Sequence, residues 1–81
     1  MLLGGIGVAE IMSLIDLPTG QLGEIVELSA EHQHDIFQQY GADKGMSIVV
    51  LNKAVDWLVQ IGYNQVFMAK EHLQRIKVRT V

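Results

Sequence analysis

The sequence contains no cysteine, which excludes a disulfide scaffold, a thiolate zinc site and a thiol nucleophile in one step. That absence fits a reducing compartment. No run of like charge occurs anywhere, and six lysines and arginines stand against nine aspartates and glutamates, a formal charge of -3. Nucleic-acid affinity rests on clustered cations, so this balance argues against a surface that tracks phosphates. The chain has no apolar run of the roughly 20 residues that a membrane span needs. It also has no phosphate loop and no serine, histidine and acid set in a pattern suited to catalysis, so an enzyme is not expected.

What is present is a short apolar chain. Its 81 residues suffice for one domain, which at this size buries only about 60% of its unfolded-chain surface. A deep catalytic cleft does not fit in so small a body. With 49% hydrophobic and 19% charged residues and a mean hydropathy of +0.26, the chain is too apolar to stay disordered. It is also apolar enough to leave some hydrophobic surface for a partner.

Residues 1–11 differ from the rest: they are apolar, carry Gly4, Gly5 and Gly7, and lack a basic residue. A secretory signal would want a positive start and a small-residue cleavage site. Two readings stand for this extension. It is a frayed terminus, with Met12 as a second initiator, or a short apolar strand that packs on the domain or on a partner. The domain proper is expected over residues 12–81. The stretch Gly5-Ile6-Gly7-Val8-Ala9-Glu10 is no dinucleotide fingerprint, because no strand precedes it and its third glycine is missing.

Alternation places a first strand from about Gly23 to Ser29, with Val26 and Leu28 on one face and Ile25 and Glu27 on the other. Ser29 is the expected cap of a helix about ten residues long. Its apolar residues Ile36, Phe37 and Tyr40 form one stripe toward the core, and Gly41 ends it. The run from Met46 to Leu51, β-branched and nearly all apolar, reads as a central strand covered on both sides. After a loop from Asn52 to Asp56, Trp57, Val59 and Ile61 alternate with Leu58 and Gln60 in a third strand. Gly62-Tyr63-Asn64 supplies a hairpin turn, and Gln65 to Met68 returns as a fourth. Ala69, Leu73 and Ile76 describe one or two helical turns before a last strand at Lys77 to Arg79. The expected fold is mainly β with short helices: a small, partly open, SH3-like barrel of about five strands. One helix follows the first strand, and a helical turn precedes the last.

The order Leu17, Gly20, Gly23, Ile25-Val26, then Phe37, Tyr40-Gly41, Gly45 and Ile48-Val49-Val50 resembles the FeoA family, small cytoplasmic proteins that accompany the bacterial ferrous iron transporter FeoB. Gly62-Tyr63, Val66-Phe67-Met68 and Ile76-Lys77-Val78 continue the likeness, which runs from Leu17 to Val78. The chain departs from the family pattern at Lys44, where proline is usual, at Ala69, where a basic residue is usual, and in the shortened loop Lys53-Ala54-Val55-Asp56. The resemblance implies an accessory or regulatory role in ferrous iron uptake, exerted by docking on the cytoplasmic G-protein part of a FeoB-type transporter. It implies a cytoplasmic protein with no direct membrane insertion and at most weak self-association. The contacts are expected among hydrophobic residues near the barrel edge and in the loop from Asn52 to Trp57. Iron-dependent repressors carry a similar module, but no helix-turn-helix fits in this sequence, so the domain is expected to stand alone.

Two sets of side chains are candidates for function. His32 and His34, with Glu31 and Asp35 beside them, are the metal candidates, for Fe2+ or a surrogate, and they define the alternative reading of a stand-alone transition-metal-binding module. On a helix, residues two apart point about 200° away from one another, so the two imidazoles converge only on an irregular backbone. The plainer reading is a solvated helix start. His72, beside Glu71, reads as a surface residue. Trp57 and Tyr63 are the partner-binding candidates, since SH3-like domains bind through aromatic grooves at their loops, which Tyr40 would flank. The competing reading of Trp57 is a lid on the core. Met46 and Met68 read as core fillers.

Overall fold

The structure is a computed structural model and describes residues 10–81. Its elements in chain order are β1 (Ile11–Ser13), a 3₁₀ turn at Leu14–Asp16, β2 (Leu22–Leu28), α1 (Gln33–Tyr40), β3 (Ser47–Lys53), β4 (Trp57–Ile61), β5 (Asn64–Met68), α2 (Lys70–Leu73) and β6 (Ile76–Thr80). Six strands form one antiparallel sheet in the order β1-β6-β2-β3-β4-β5. The fold is therefore mainly β with two short helices, and the sheet is not closed, consistent with a small, partly open, SH3-like barrel. The strand beyond the five expected is β1, which pairs with β6 through Ile11 and Arg79, Met12 and Val78, and Ser13 and Lys77. It begins at the last residue of the apolar extension. The remainder of that extension, residues 1–9, lies outside the described residues.

The core forms where the inward faces of the strands meet the helices. Ile25, Ile48, Val50, Val59, Ile61, Met68, Ile76 and Val78 are fully or almost fully buried from the sheet; Ile36 and Leu73 join them from α1 and α2, and Leu14 and Leu17 from the 3₁₀ turn and the residue that ends it. Burying a side chain of this size stabilises the fold by about 1.5–3 kcal/mol. Met46 packs against the cluster, and Met68 lies within it. Gly23 faces the same interior: a Cβ there would sit 3.3 Å from Leu17 Cδ2 and 3.4 Å from the Arg79 carbonyl oxygen.

Two bulges set which residues face inward. In β2 the pairing with β6 slips by one between Ile25 and Glu27, so Ile25 opposes Val78, Glu27 opposes Lys77 and Leu28 opposes Ile76. Ile25 and Leu28 are thus both buried, while Glu27 is exposed. Strict alternation had put Ile25 and Leu28 on opposite faces; the extra residue, Val26, brings them to the same one. A second slip between Val50 and Asn52 does the same in β3, leaving Leu51 half-buried at the irregularity. Beyond it, β3 continues to Lys53, which shortens the expected loop to Ala54–Asp56.

The helices also depart from expectation. The chain first makes a turn, with the His32 N–H donating to the Ser29 carbonyl at 2.9 Å, and α1 starts only at Gln33. His32 is therefore the capping position, and Ser29 caps nothing. Ile36 and Tyr40 are buried, but Phe37 is 52% exposed, because only the i, i+4 pair lies over the core. Gly41 ends α1 at φ 72°, a left-handed conformation that costs a residue with a Cβ more than it costs glycine. α2 is a single turn, and Ile76 already belongs to β6.

Candidate docking surface

The outward face of the sheet divides into two halves of different chemistry. Over β1, β6 and β2 its cross-strand rows read Ile11, Arg79, Glu24, and Ser13, Lys77, Glu27. Arg79 Nη2 donates to Glu24 Oε1 at 2.8 Å, the only ion pair among the described residues. Over β3, β4 and β5 the rows read Val49, Gln60, Gln65, and Asn52, Leu58, Phe67. Leu22 of β2 extends the first of these rows beside Val49. None of these seven residues carries a charge. Phe67 is 68% exposed and Leu22 43%, while Val49, Leu51 and Leu58 are half-buried.

This apolar half borders the open edge formed by β5, whose five residues include neither lysine nor proline, the residues that commonly blunt an exposed strand edge. The turns at the two ends of β4 add Val55 and Tyr63, both almost fully exposed. An uncharged sheet face with exposed apolar side chains beside an open edge can bury area against a protein partner and extend the sheet to it.

The partner-binding candidates occupy different places. Trp57 opens β4 opposite Met68 and is only 6% exposed, so it closes the core; Lys53 Nζ lies 4.7 Å from its ring centroid, covering the remaining face. Tyr63 is fully exposed in the turn at the other end of β4. At a rise of about 3.3 Å per residue the strand between them spans roughly 13 Å. Tyr40 is buried, and its hydroxyl lies 2.7 Å from His72 Nδ1 in an edge-to-face contact. The three aromatics do not form one groove. His72 is correspondingly half-buried, tying α2 to the end of α1, and is no simple surface residue.

The metal candidates are also separated in role. His32 Nδ1 lies 3.4 Å from Ser29 Oγ, in the turn before α1. His34 instead lines a shallow hollow of about 370 Å³ with Ala30, Gln33, Phe37 and Asp43. Among the described residues no three histidines, aspartates or glutamates are placed to hold a metal ion together. The exposed residues of β3 to β5 were missed as a site by sequence reading; their signal was the uncharged outward positions Val49, Leu58, Gln60, Gln65 and Phe67.

Fold and surface define a small, open SH3-like barrel whose outward face is uncharged over β3 to β5. No family model and no curated relative matches the sequence. Solved structures match the fold. The crystal structure of an iron uptake regulatory protein, FeoA, superposes with a TM-score of 0.78 at 19% identity, covering 89% of this chain and 99% of that one. The solution structure of FeoA from Chlorobium tepidum gives a TM-score of 0.75 at 20% identity, covering 86% of this chain and 70% of that one. The resemblance read in the sequence and the likeness of fold thus lead to the same proteins.

Proposed function

We propose that this chain is an accessory protein of bacterial ferrous iron uptake, docking on the cytoplasmic, GTP-binding part of a FeoB-type membrane transporter. The observation that carries the reading is the FeoA-like fold across 89% of the chain, in line with the resemblance read in the sequence from Leu17 to Val78. The uncharged face over β3 to β5 supports a docking role: it offers Leu22, Leu58 and Phe67 as apolar contacts. The protein acts by contact, without chemistry of its own, at the cytoplasmic side of the membrane. No helix among the described residues is long and apolar enough to cross a membrane.

The experiment is a calorimetric titration of the protein with the isolated cytoplasmic domain of the transporter. The reading expects saturable binding that is lost when Leu58 and Phe67 are both replaced by glutamate. Absence of heat over a wide concentration range contradicts it. The metal reading has less support, since His32 and His34 serve different surroundings and no group of three ligands forms among the described residues.

A further inference from the structure

Four of the six lysines and arginines fall between Lys70 and Arg79, giving an acidic protein one basic end. Arg79 is paired with Glu24, but Arg75 and Lys77 take part in no ion pair among the described residues. Both line a cleft of about 410 Å³ with Glu27, Ser29, Ala30 and Gln74, between the end of β2 and the turn that enters β6. The Ser29 N–H donates to the Arg75 carbonyl at 3.0 Å, linking the two walls of the cleft. Two unpaired cations, a hydroxyl and a side-chain amide therefore converge on one hollow, with a single carboxylate on its rim.

We propose that this cleft receives the carboxylate side chains of an acidic peptide segment of a protein partner, with Arg75 and Lys77 as the cations and Ser29 and Gln74 as neutral donors. The inference does not depend on the transporter reading, since it concerns the charged half of the sheet and holds for whichever protein supplies the segment. Two observations favour carboxylates over phosphate. The backbone N–H groups of Ser29, Gln74 and Arg75 already donate to the carbonyls of Arg75, Lys70 and His72, which leaves no nest of free amides for a phosphate among them. Glu27 lies in the cleft and opposes Lys77 across the strands, and its charge repels a dianion more strongly than a carboxylate. A guanidinium beside an ammonium suits carboxylates, because the planar fork takes one in two hydrogen bonds while the lysine tail swings to a second.

The test is an amide chemical-shift titration of the ¹⁵N-labelled protein with an acetylated peptide of alternating glutamate and glycine. The same titration is run with its glutamine counterpart and with inorganic phosphate. The glutamate peptide is expected to shift Ser29, Ala30, Gln74, Arg75 and Lys77, and the other two ligands to leave them still. Raising the salt from about 0.05 to about 0.5 M should weaken binding severalfold, since the contacts are exposed and screened. The double variant R75Q/K77Q should weaken it about tenfold, and E27Q should strengthen it about threefold by removing the opposing charge. All these side chains are exposed, so unchanged thermal unfolding verifies that the variants fold. The inference is overturned if the glutamine peptide or phosphate shifts the same amides equally, if the shifts fall elsewhere, or if E27Q weakens binding.

Discussion

The two halves of the outward sheet face share one backbone and differ in almost everything chemical. Over β1, β6 and β2 the rows hold Arg79, Glu24, Lys77 and Glu27; over β3, β4 and β5 they hold Val49, Leu58, Gln60, Gln65 and Phe67. Both halves cover the same core, so stability does not require the difference. A charged, partly self-paired surface stays in water at little cost, whereas an apolar one gains by being covered. On the proposed reading, docking falls to the uncharged half, and the charged half is left for weaker, salt-sensitive contacts.

The sharpest way to break this comparison is to place charge on the uncharged half. The variant L58E/F67E should weaken binding to the cytoplasmic transporter domain by a hundredfold or more, about 2.7 kcal/mol or above, since buried apolar anchors dominate interfaces. Calorimetric titration measures it. Binding within threefold of the unchanged protein would remove the distinction between the halves.

A smaller effect is expected at the seam. Gly23 pairs with Thr80 on one side and Ile48 on the other, and a Cβ there would press on Leu17 and on the Arg79 carbonyl. Gly23→Ala should lower stability by about 1–3 kcal/mol in denaturant unfolding, through overpacking. Because it disturbs the support of both halves, it should not separate them in binding.

Tyr40→Phe removes the hydroxyl that meets His72 Nδ1 and should cost about 1 kcal/mol. It lies beneath neither surface, so affinity for the transporter domain should stay within twofold. Least of all is expected from the charged half. The Arg79–Glu24 pair is 46% and 35% exposed, and solvent screening leaves such pairs about 0–1 kcal/mol. Glu24→Gln should therefore leave unfolding nearly unchanged and binding intact; a loss of binding comparable to that of L58E/F67E would erase the comparison.

Much of this architecture was legible in the sequence, for reasons that particular residues make plain. Trp57, Val59 and Ile61 alternate without interruption and all three are buried, because β4 has no bulge and its period of two survives. In β2 the same reasoning failed: one extra residue at Val26 turns Leu28 back toward the core, and bulges leave no trace in hydrophobic pattern. The short helix was found but begins late, since the chain spends Ser29 to His32 on a turn. β1 starts at the last residue of the apolar extension, and its three residues are too few for alternation to register.

The candidate surface was less legible than the fold. Single conspicuous residues drew attention to Trp57 and Tyr63, yet strand pairing puts them at opposite ends of β4, one buried and one exposed. What distinguishes the proposed docking half is a lack of charge spread over three strands, and it becomes visible only once register lines up Val49 with Gln60 and Leu58 with Phe67.

The most direct measurement is an amide chemical-shift map of the ¹⁵N-labelled protein titrated with the cytoplasmic domain of the ferrous transporter. The account predicts shifts that centre on Val49, Leu51, Leu58 and Phe67. If those amides stay still while the transporter domain reaches saturating concentration, the uncharged half is not the docking face, and the account fails.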